Sequence, residues 1–393
     1  MTESRIRELL EDVAQPVDSR DLADVAWQTA RHDRTRLRIG LAAAVVLVVA
    51  GGTAIGVAAG QHDHSAPAAS RPSSSGVRRV ENGVTIQIAP GVSDEAKLQP
   101  ADGGLPAKIQ LDQNAPWITD KPIDRVTAAF LGYRTGSSKP ATFLVLVADD
   151  YTQRRLDISQ LGPSPDSANG ASPFTAGSLS PDGSELAFGQ VGAIAVYAVQ
   201  TRSWRRFPVR GFTADHAAAL TWDGVGTVKL SDQLDLDVTS GSVTSTGDIG
   251  TDGTIQLGGR PKPPTGVAVS QWWGPLHDWG GGGGNSAEAA YVTSPTVPGD
   301  SEPLAIVAFD PIPAVLLIPL GADPVRYKGC CVVAGWQGGT RVVYESRSGD
   351  VANGQTSRLI SWNLFTGELR LVSTVTCGAN QVFIGTYAEF FNS

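Results

Sequence analysis

The chain has 393 residues and a formal charge of −8, with 45 glycines, 25 prolines and only 18% charged residues. That turn-rich, charge-poor composition suits a β domain better than a helical one. The mild acidity argues against nucleic acid as a partner, which needs a concentrated basic patch.

Residues 1–38 read as two short helices. Ile6, Leu9, Leu10 and Val13 fall on one helical face, and Pro16 ends that helix. Asp18 or Ser19 caps a second helix with the apolar stripe Leu22, Val25, Ala26 and Ala30. Two such helices cannot bury a core alone, so the segment reads as a cytoplasmic tail, with docking of a cytosolic regulator as its sharper use. Ile39–Gly60 then runs for 22 residues without a charge. At about 1.5 Å per residue it reaches roughly 33 Å, enough for one transmembrane helix. Arg31, Arg34, Arg36 and Arg38 crowd its N-terminal end, whereas the next basic residue beyond it is Arg71. Positive charge stays in the cytoplasm, which places residues 1–38 inside and residues 61–393 outside. The Leu-rich start, the Asp18–Ala26 stretch, the arginine-rich exit and the Ala/Val span together resemble actinobacterial single-pass, anti-sigma-factor-like membrane proteins. That resemblance implies coupling of the tail to a cytosolic regulator.

Residues 61–80 are rich in Ser, Ala, Pro and Arg and read as a disordered spacer. Residues 81–393 form the extracytoplasmic domain. Val84–Ile88, Ala107–Leu111, Ala141–Val147 and Arg155–Ile158 are predicted strands between Gly, Pro, Asn and Asp clusters.

A repeat follows. In its best copy Ser180-Pro181-Asp182-Gly183 makes a tight turn, and Glu185–Phe188, Ala193–Val199 and Trp204–Val209 are strands. The second copy has the turn at Asp223-Gly224 and strands at Gly226–Leu230, Leu234–Val238 and Ser242–Thr246. A late copy has Trp336–Gly339, Arg341–Glu345, Arg358–Leu364, a turn at Thr366-Gly367, and Glu368–Val375. The Asp-Gly turns at 182–183 and 223–224 lie 41 residues apart. Four strands at that period are the mark of a propeller blade. Ser180-Pro181-Asp182-Gly183 with Glu185–Phe188, and Phe365-Thr366-Gly367-Glu368-Leu369, resemble the blade turns of WD-repeat-like and TolB-like β-propellers. The expectation is an all-β, six- or seven-bladed β-propeller after one N-terminal transmembrane helix. Two blades are expected in 245–325 and one or two in 83–160.

Candidate sites are few. Trp272, Trp273, His277, Asp278 and Trp279, followed by a glycine run, read as an aromatic binding loop. Asp232, Asp235 and Asp237 alternate on one strand face, which reads as a solvated face rather than a metal site. One of Cys330 and Cys331 is expected to bond Cys377, because a bridge between adjacent cysteines needs a distorted peptide; the exterior compartment permits it. The chain has no Cys-x-x-Cys pair and no Gly-x-Ser-x-Gly elbow, and only His216 and His277 fall in the domain. No metal or cofactor is expected. The functional expectation is a non-catalytic, membrane-anchored propeller that binds a protein or envelope ligand outside the cell. An extracytoplasmic propeller hydrolase or lyase is the alternative.

Overall fold

In chain order the strands are β1 (Arg78–Glu81), β2 (Val84–Ile88), β3 (Lys108–Gln110), β4 (Val126–Arg134), β5 (Phe143–Ala148), β6 (Gln153–Asp157), β7 (Glu185–Gln190), β8 (Ala193–Ala198), β9 (Ser203–Pro208), β10 (Thr221–Trp222) and β11 (Thr227–Ser231). They continue as β12 (Leu234–Asp237), β13 (Val243–Ser245), β14 (Ala268–Asp278), β15 (Ser286–Ser294), β16 (Leu304–Ala308), β17 (Ala314–Ile318), β18 (Val333–Gln337), β19 (Arg341–Ser348), β20 (Thr356–Asn363), β21 (Leu369–Thr376) and β22 (Gln381–Tyr387). One short helix, α1 (Val92–Glu95), lies between β2 and β3. This computed structural model describes residues 78–134, 142–161, 174–190, 192–209, 220–231, 234–245, 262–278, 286–295, 303–309, 312–320, 326, 330–349, 353–378 and 381–390. The chain divides into two units, Met1–Ala69 and Ser70–Ser393, and every described residue belongs to the second.

The strands form five sheets in a propeller arrangement. Blade 1 is β22-β4-β5-β6, blade 2 is β7-β8-β9, and blade 3 is β10-β11-β12-β13. Blade 4 is β14-β15-β16-β17 and blade 5 is β18-β19-β20-β21, each with added outer strands. Leu179 bridges Leu186 and stands where blade 2 needs an inner strand. The inner strands are stitched to one another. Thr386 Oγ1 donates to Ala176 O at 2.7 Å and accepts from Leu179 N–H at 3.1 Å. Trp222 Nε1 donates to Ser178 O at 3.0 Å.

The count is five blades, against the six or seven expected from the repeat. Two physical reasons account for the difference. The segments at 84–88 and 107–111 are not blades of their own. They leave the start of the domain and lie on the outer edges of blades 4 and 5, β2 parallel to β17 and β3 parallel to β21. Second, β14 and β15 are 11 and 9 residues long, so one large blade takes up most of 245–325. The added strands begin at Arg78, inside the stretch read as spacer. The span Ile39–Gly60 and its flanking arginines lie outside the described residues. Among the described residues no helix is long and apolar enough to cross a membrane.

Alternation decides the cores. On β20, Ile360 and Trp362 face blade 4 and share a cluster with its Leu304 and Ile306, while Leu359 faces blade 1 with Phe130 and Phe383. Blade 5 thus buries both faces against its neighbours.

The turns also bear on the preceding blade. Gly183, at φ +72°, carries the Ser180–Ser184 turn onto blade 1. Val126 N–H donates to Gly183 O at 2.9 Å and Arg125 Nε to Asp182 O at 2.7 Å. Ser180 and Ser184 hydroxyls each donate to Asp182 Oδ1 at 2.8 Å. Burial works against the Asp182 carboxylate, but these hydrogen bonds and Arg125 outweigh it and hold its pKa below the usual range. The turn at Gly367 repeats the arrangement: Gln87 Nε2 on β2 donates to Gly367 O at 2.7 Å, and Trp362 Nε1 donates to Gln87 Oε1 at 3.1 Å.

A Cβ at position 183 would overlap Val126 O and meet a left-handed backbone. Gly183→Ala should therefore destabilise the fold by roughly 2–5 kcal/mol, from about 1–2 for the backbone and about 1–3 for overpacking. Urea unfolding of the two proteins measures it, and an unchanged midpoint would remove this turn from the blade 1–2 junction.

Candidate functional site

In a blade built as an antiparallel meander, the first and third hairpin connections emerge at one end and the second at the other. The ends of successive blades coincide: Gln337 pairs in parallel with Phe390, and Gly183 receives the Val126 N–H. One face of the disk therefore carries the 180–184, 223–226, 338–340, 149–152, 238–242 and 364–367 turns. The Asn82-Gly83 turn is at the same end, because Thr85 pairs in parallel with Ala314 at the start of β17.

Five large apolar residues are exposed among the described ones, Val80, Tyr151, Val225, Val243 and Phe365, at 38% to 68%. All five belong to this end. Tyr151 and Phe365 occupy the third connections of blades 1 and 5, and Val225 the first connection of blade 3. Val243 opens β13 just after a turn, and Val80 pairs with Thr85 beside the Asn82-Gly83 turn. Tyr151 holds φ +66°, with the turn fixed by Asp150, whose carboxylate accepts from Thr152 N–H and Oγ1 at 2.9 and 2.6 Å. Those Thr152 bonds keep the Asp150 pKa below the usual range. Phe365 sits in a turn fixed in the same way by Asn363 Oδ1, which accepts from the Phe365 and Thr366 N–H groups. Rigid turns thus hold apolar side chains in water, which is costly unless something covers them.

The aromatic stretch reads differently in three dimensions. Trp272, Trp273, His277 and Asp278 are on strand β14, not in a loop, and stand in register with Ala290, Ala289, Ala287 and Ser286 of β15. The register shifts between Trp273 and His277. Trp272 is half-buried, packs on Phe309 with ring centroids 5.6 Å apart and closes an apolar cluster of blade 4. Trp279 lies outside the described residues, as do Asp232 and His216. The Asp278–Ser286 pair ends β14 and β15 at the turn-bearing face. Asp235 and Asp237 share the partly exposed face of β12, with Leu234 and Leu236 buried on the other. Asp237 caps the turn that follows it: the Ser240 and Thr239 N–H groups donate to its carboxylate and lower its pKa.

The expected pairing of Cys330 or Cys331 with Cys377 is corrected. Cys330 and Cys331 bond each other, and Cys377 takes no part in that bridge. Cys330 and Cys331 are buried on the blade 4 side of blade 5, while Cys377 packs on its blade 1 side, so the sheet separates them. Cys331 accommodates the adjacent bridge by taking φ +94°. Burial pushes the Cys377 thiol above its usual pKa.

A buried ion network went unread in the sequence. Glu95, on α1, is fully buried with Arg326, whose Nη2 donates to Glu95 Oε1 at 2.7 Å. Ser346 Oγ lies 2.8 and 2.9 Å from the two carboxylate oxygens, and Arg358 Nη1 is 3.6 Å from Oε2. Arg326 also donates to Pro319 O and Pro90 O, at 2.8 and 2.9 Å. Beneath it Tyr344 is fully buried; desolvation first, and Glu95 next, raise its phenol well above the ordinary value, so it stays neutral. A second carboxylate, Glu345, accepts from Ser357 Oγ at 2.6 Å and Arg347 Nη2 at 2.8 Å. Glu95 is engaged in holding segments together across more than two hundred residues of chain, which no local pattern announces, while the Glu345 bonds stay within blade 5. Among the described residues no group of His, Cys, Asp and Glu is placed to hold a metal ion.

No family model matches the chain, and no curated protein matches its sequence.

Glu95→Gln leaves Arg326 buried without its counter-charge and should cost about 3–5 kcal/mol of stability. Glu95→Leu with Arg326→Met should recover most of that loss; a double variant no better than the single one would contradict an ion-paired junction. Alkylation of the denatured, unreduced protein should modify Cys377 alone and leave the Cys330–Cys331 peptide lighter by two hydrogens. A peptide joined to Cys377 would show the other pairing.

Proposed function

We propose that this chain is a non-catalytic, membrane-anchored binding protein whose propeller presents its turn-bearing face to a protein ligand outside the cell. The observation that carries the reading is the gathering of Val80, Tyr151, Val225, Val243 and Phe365 at one end of the disk. Scattered single apolar residues are ordinary on a surface, but rigid turns that display them on one face suit a docking surface. The apolar run Ile39–Gly60, with its arginines on one side, supports anchoring. The Cys330–Cys331 bridge supports an oxidising exterior compartment. The likeness of Ser180–Phe188 to WD-repeat-like and TolB-like blades supports a rigid disk used for contact, since a fold by itself names no reaction. Residues 1–38 couple that contact to a cytosolic regulator.

Two measurements in intact cells test this. Protease added outside should digest the propeller and leave a protected fragment that contains residues 1–38; digestion of both parts, or of neither, would overturn the topology. Photo-crosslinking side chains placed at Tyr151, Val225 and Phe365 should all capture one and the same protein. A probe at Asn353, on the opposite end in the β19–β20 connection, should not. Equal capture at both ends, or capture at neither, would contradict a ligand on the turn-bearing face.

A further inference from the structure

The first part of the domain, residues 78–118, wraps the rim and adds an outer strand to three successive blades, each time in parallel. On blade 4, β2 runs along β17. On blade 5, Leu371 N–H donates to Gln99 O and Leu371 O accepts from Ala101 N–H, and β3 follows along β21. On blade 1, Arg155 N–H donates to Pro116 O and Arg155 O accepts from Ile118 N–H, both at 2.9 Å. In that last case the added residue paired with Arg155 is Trp117, and the guanidinium lies 4.1 Å above its ring centroid. The chain therefore uses one device three times: an extended segment satisfies the outward N–H and C=O of an outer-strand residue.

Among the described residues, blade 2 has the matching residue without a matching segment. Its outer strand is β9, and among the described residues no strand pairs with the far edge of β9. Val209 N–H donates to Gly192 O at 2.9 Å. Alternation then makes Ser203, Arg205 and Phe207 the residues that bond β8, and turns the N–H and C=O of Trp204 and Arg206 outward. Arg206 pairs with Ala195, the third residue of β8, as Arg155 pairs with Val145, the third residue of β5. Arg206 is exposed, whereas Arg205 is engaged with Glu185 and, at 2.6 Å, with Val238 O. Pro208, which has no N–H, closes the end of the edge. Pairing of β9 with a second copy of itself would bring like charges together.

We propose that the outer edge of β9 takes an extended segment of a partner protein, parallel to β9, with an aromatic side chain opposite Arg206. The three internal additions show that this rim accepts such strands, and the Arg155–Trp117 stack shows which side chain suits the arginine. This rim site is separate from the turn-bearing face, so either reading can fail without the other.

The probe is a fluorescein-labelled peptide with the chain's own blade 1 sequence, Asn-Ala-Pro-Trp-Ile-Thr-Asp, titrated with the full-length protein in detergent and followed by anisotropy. The expected result is saturable binding that weakens about 2–30-fold in Arg206→Ala, the range of a lost cation–π contact, and similarly when Trp in the peptide is replaced by Ala. Arg206→Pro removes the outward N–H without touching the bonds to β8, and should abolish binding while the unfolding midpoint stays close to that of the parent. Absence of saturable binding to the parent protein, or equal binding by Arg206→Pro, would overturn the proposal. If Arg206→Pro lowers the midpoint, the Arg206→Ala and peptide Trp→Ala titrations decide alone: unchanged affinity in both would overturn it.

Discussion

A carboxylate removed from water must find positive charge and hydrogen-bond donors, and Glu95 finds them only where three distant parts of the chain meet. It sits on α1, in the segment that wraps the rim. Arg326 comes from the connection between blades 4 and 5, and Ser346 and Arg358 come from the two middle strands of blade 5. Glu95 and Arg326 have each other as charge partners only when the early segment lies in its groove. The network therefore does more than add stability. It ties the seating of residues 78–118 to blade 5, whose Ser346 lies 251 residues beyond Glu95 along the chain, because the alternative is a buried guanidinium without its partner.

The ring is closed twice by this logic. At the inside, the C-terminal strand β22 enters blade 1 beside β4. At the outside, the early segment crosses from blade 4 to blade 5 to blade 1 before the chain turns inward at Val126. A propeller has no end cap of its own, so each of these two closures holds blades that sequence places far apart. Between them the blades lean on one another through turns. Gly183 on Val126, Val238 on Arg205 and Gly367 on Gln87 are three instances of a backbone carbonyl in one blade bonded by the blade before it. This cooperative rim and axis make a stiff platform, and stiffness is what lets Tyr151 and Phe365 stand in solvent on fixed turns.

Much of this was legible. The strands Val84–Ile88, Glu185–Phe188, Ala193–Val199 and Leu234–Val238 coincide with the observed ones to within about two residues, because alternation and Asp-Gly turns are local properties. The SPDG turn could be placed for the same reason. Blade number was not legible. It depends on which distant edge β2 and β3 join, and parallel addition to an outer edge leaves no local mark. Blade 4 was hidden by its own burial: Leu304–Ala308 and Ala314–Ile318 are continuous apolar runs without the alternation that marks a half-buried strand. The cysteine pairing failed because spacing says nothing about which side of a sheet each thiol occupies. The aromatic run 272–278 looked like a loop beside the glycine run that follows it, and the structure absorbs its Gly274-Pro275 step as a register shift inside β14. The apolar residues on the turns were visible one at a time, but their common end follows only from the order of strands within each blade.

The claim on which the rest depends is that residues 78–118 are part of the propeller's cooperative fold rather than a strap laid over it. Native-state hydrogen exchange measures this at the amides of Ala101, Leu111 and Ile118, which donate to Leu371, Thr376 and Arg155, against amides in the middle of β8 and β20. The account predicts that both sets open with the same free energy and the same denaturant dependence, that of global unfolding. Exchange of the early segment through a separate, low-energy opening, with the blades still protected, would contradict it.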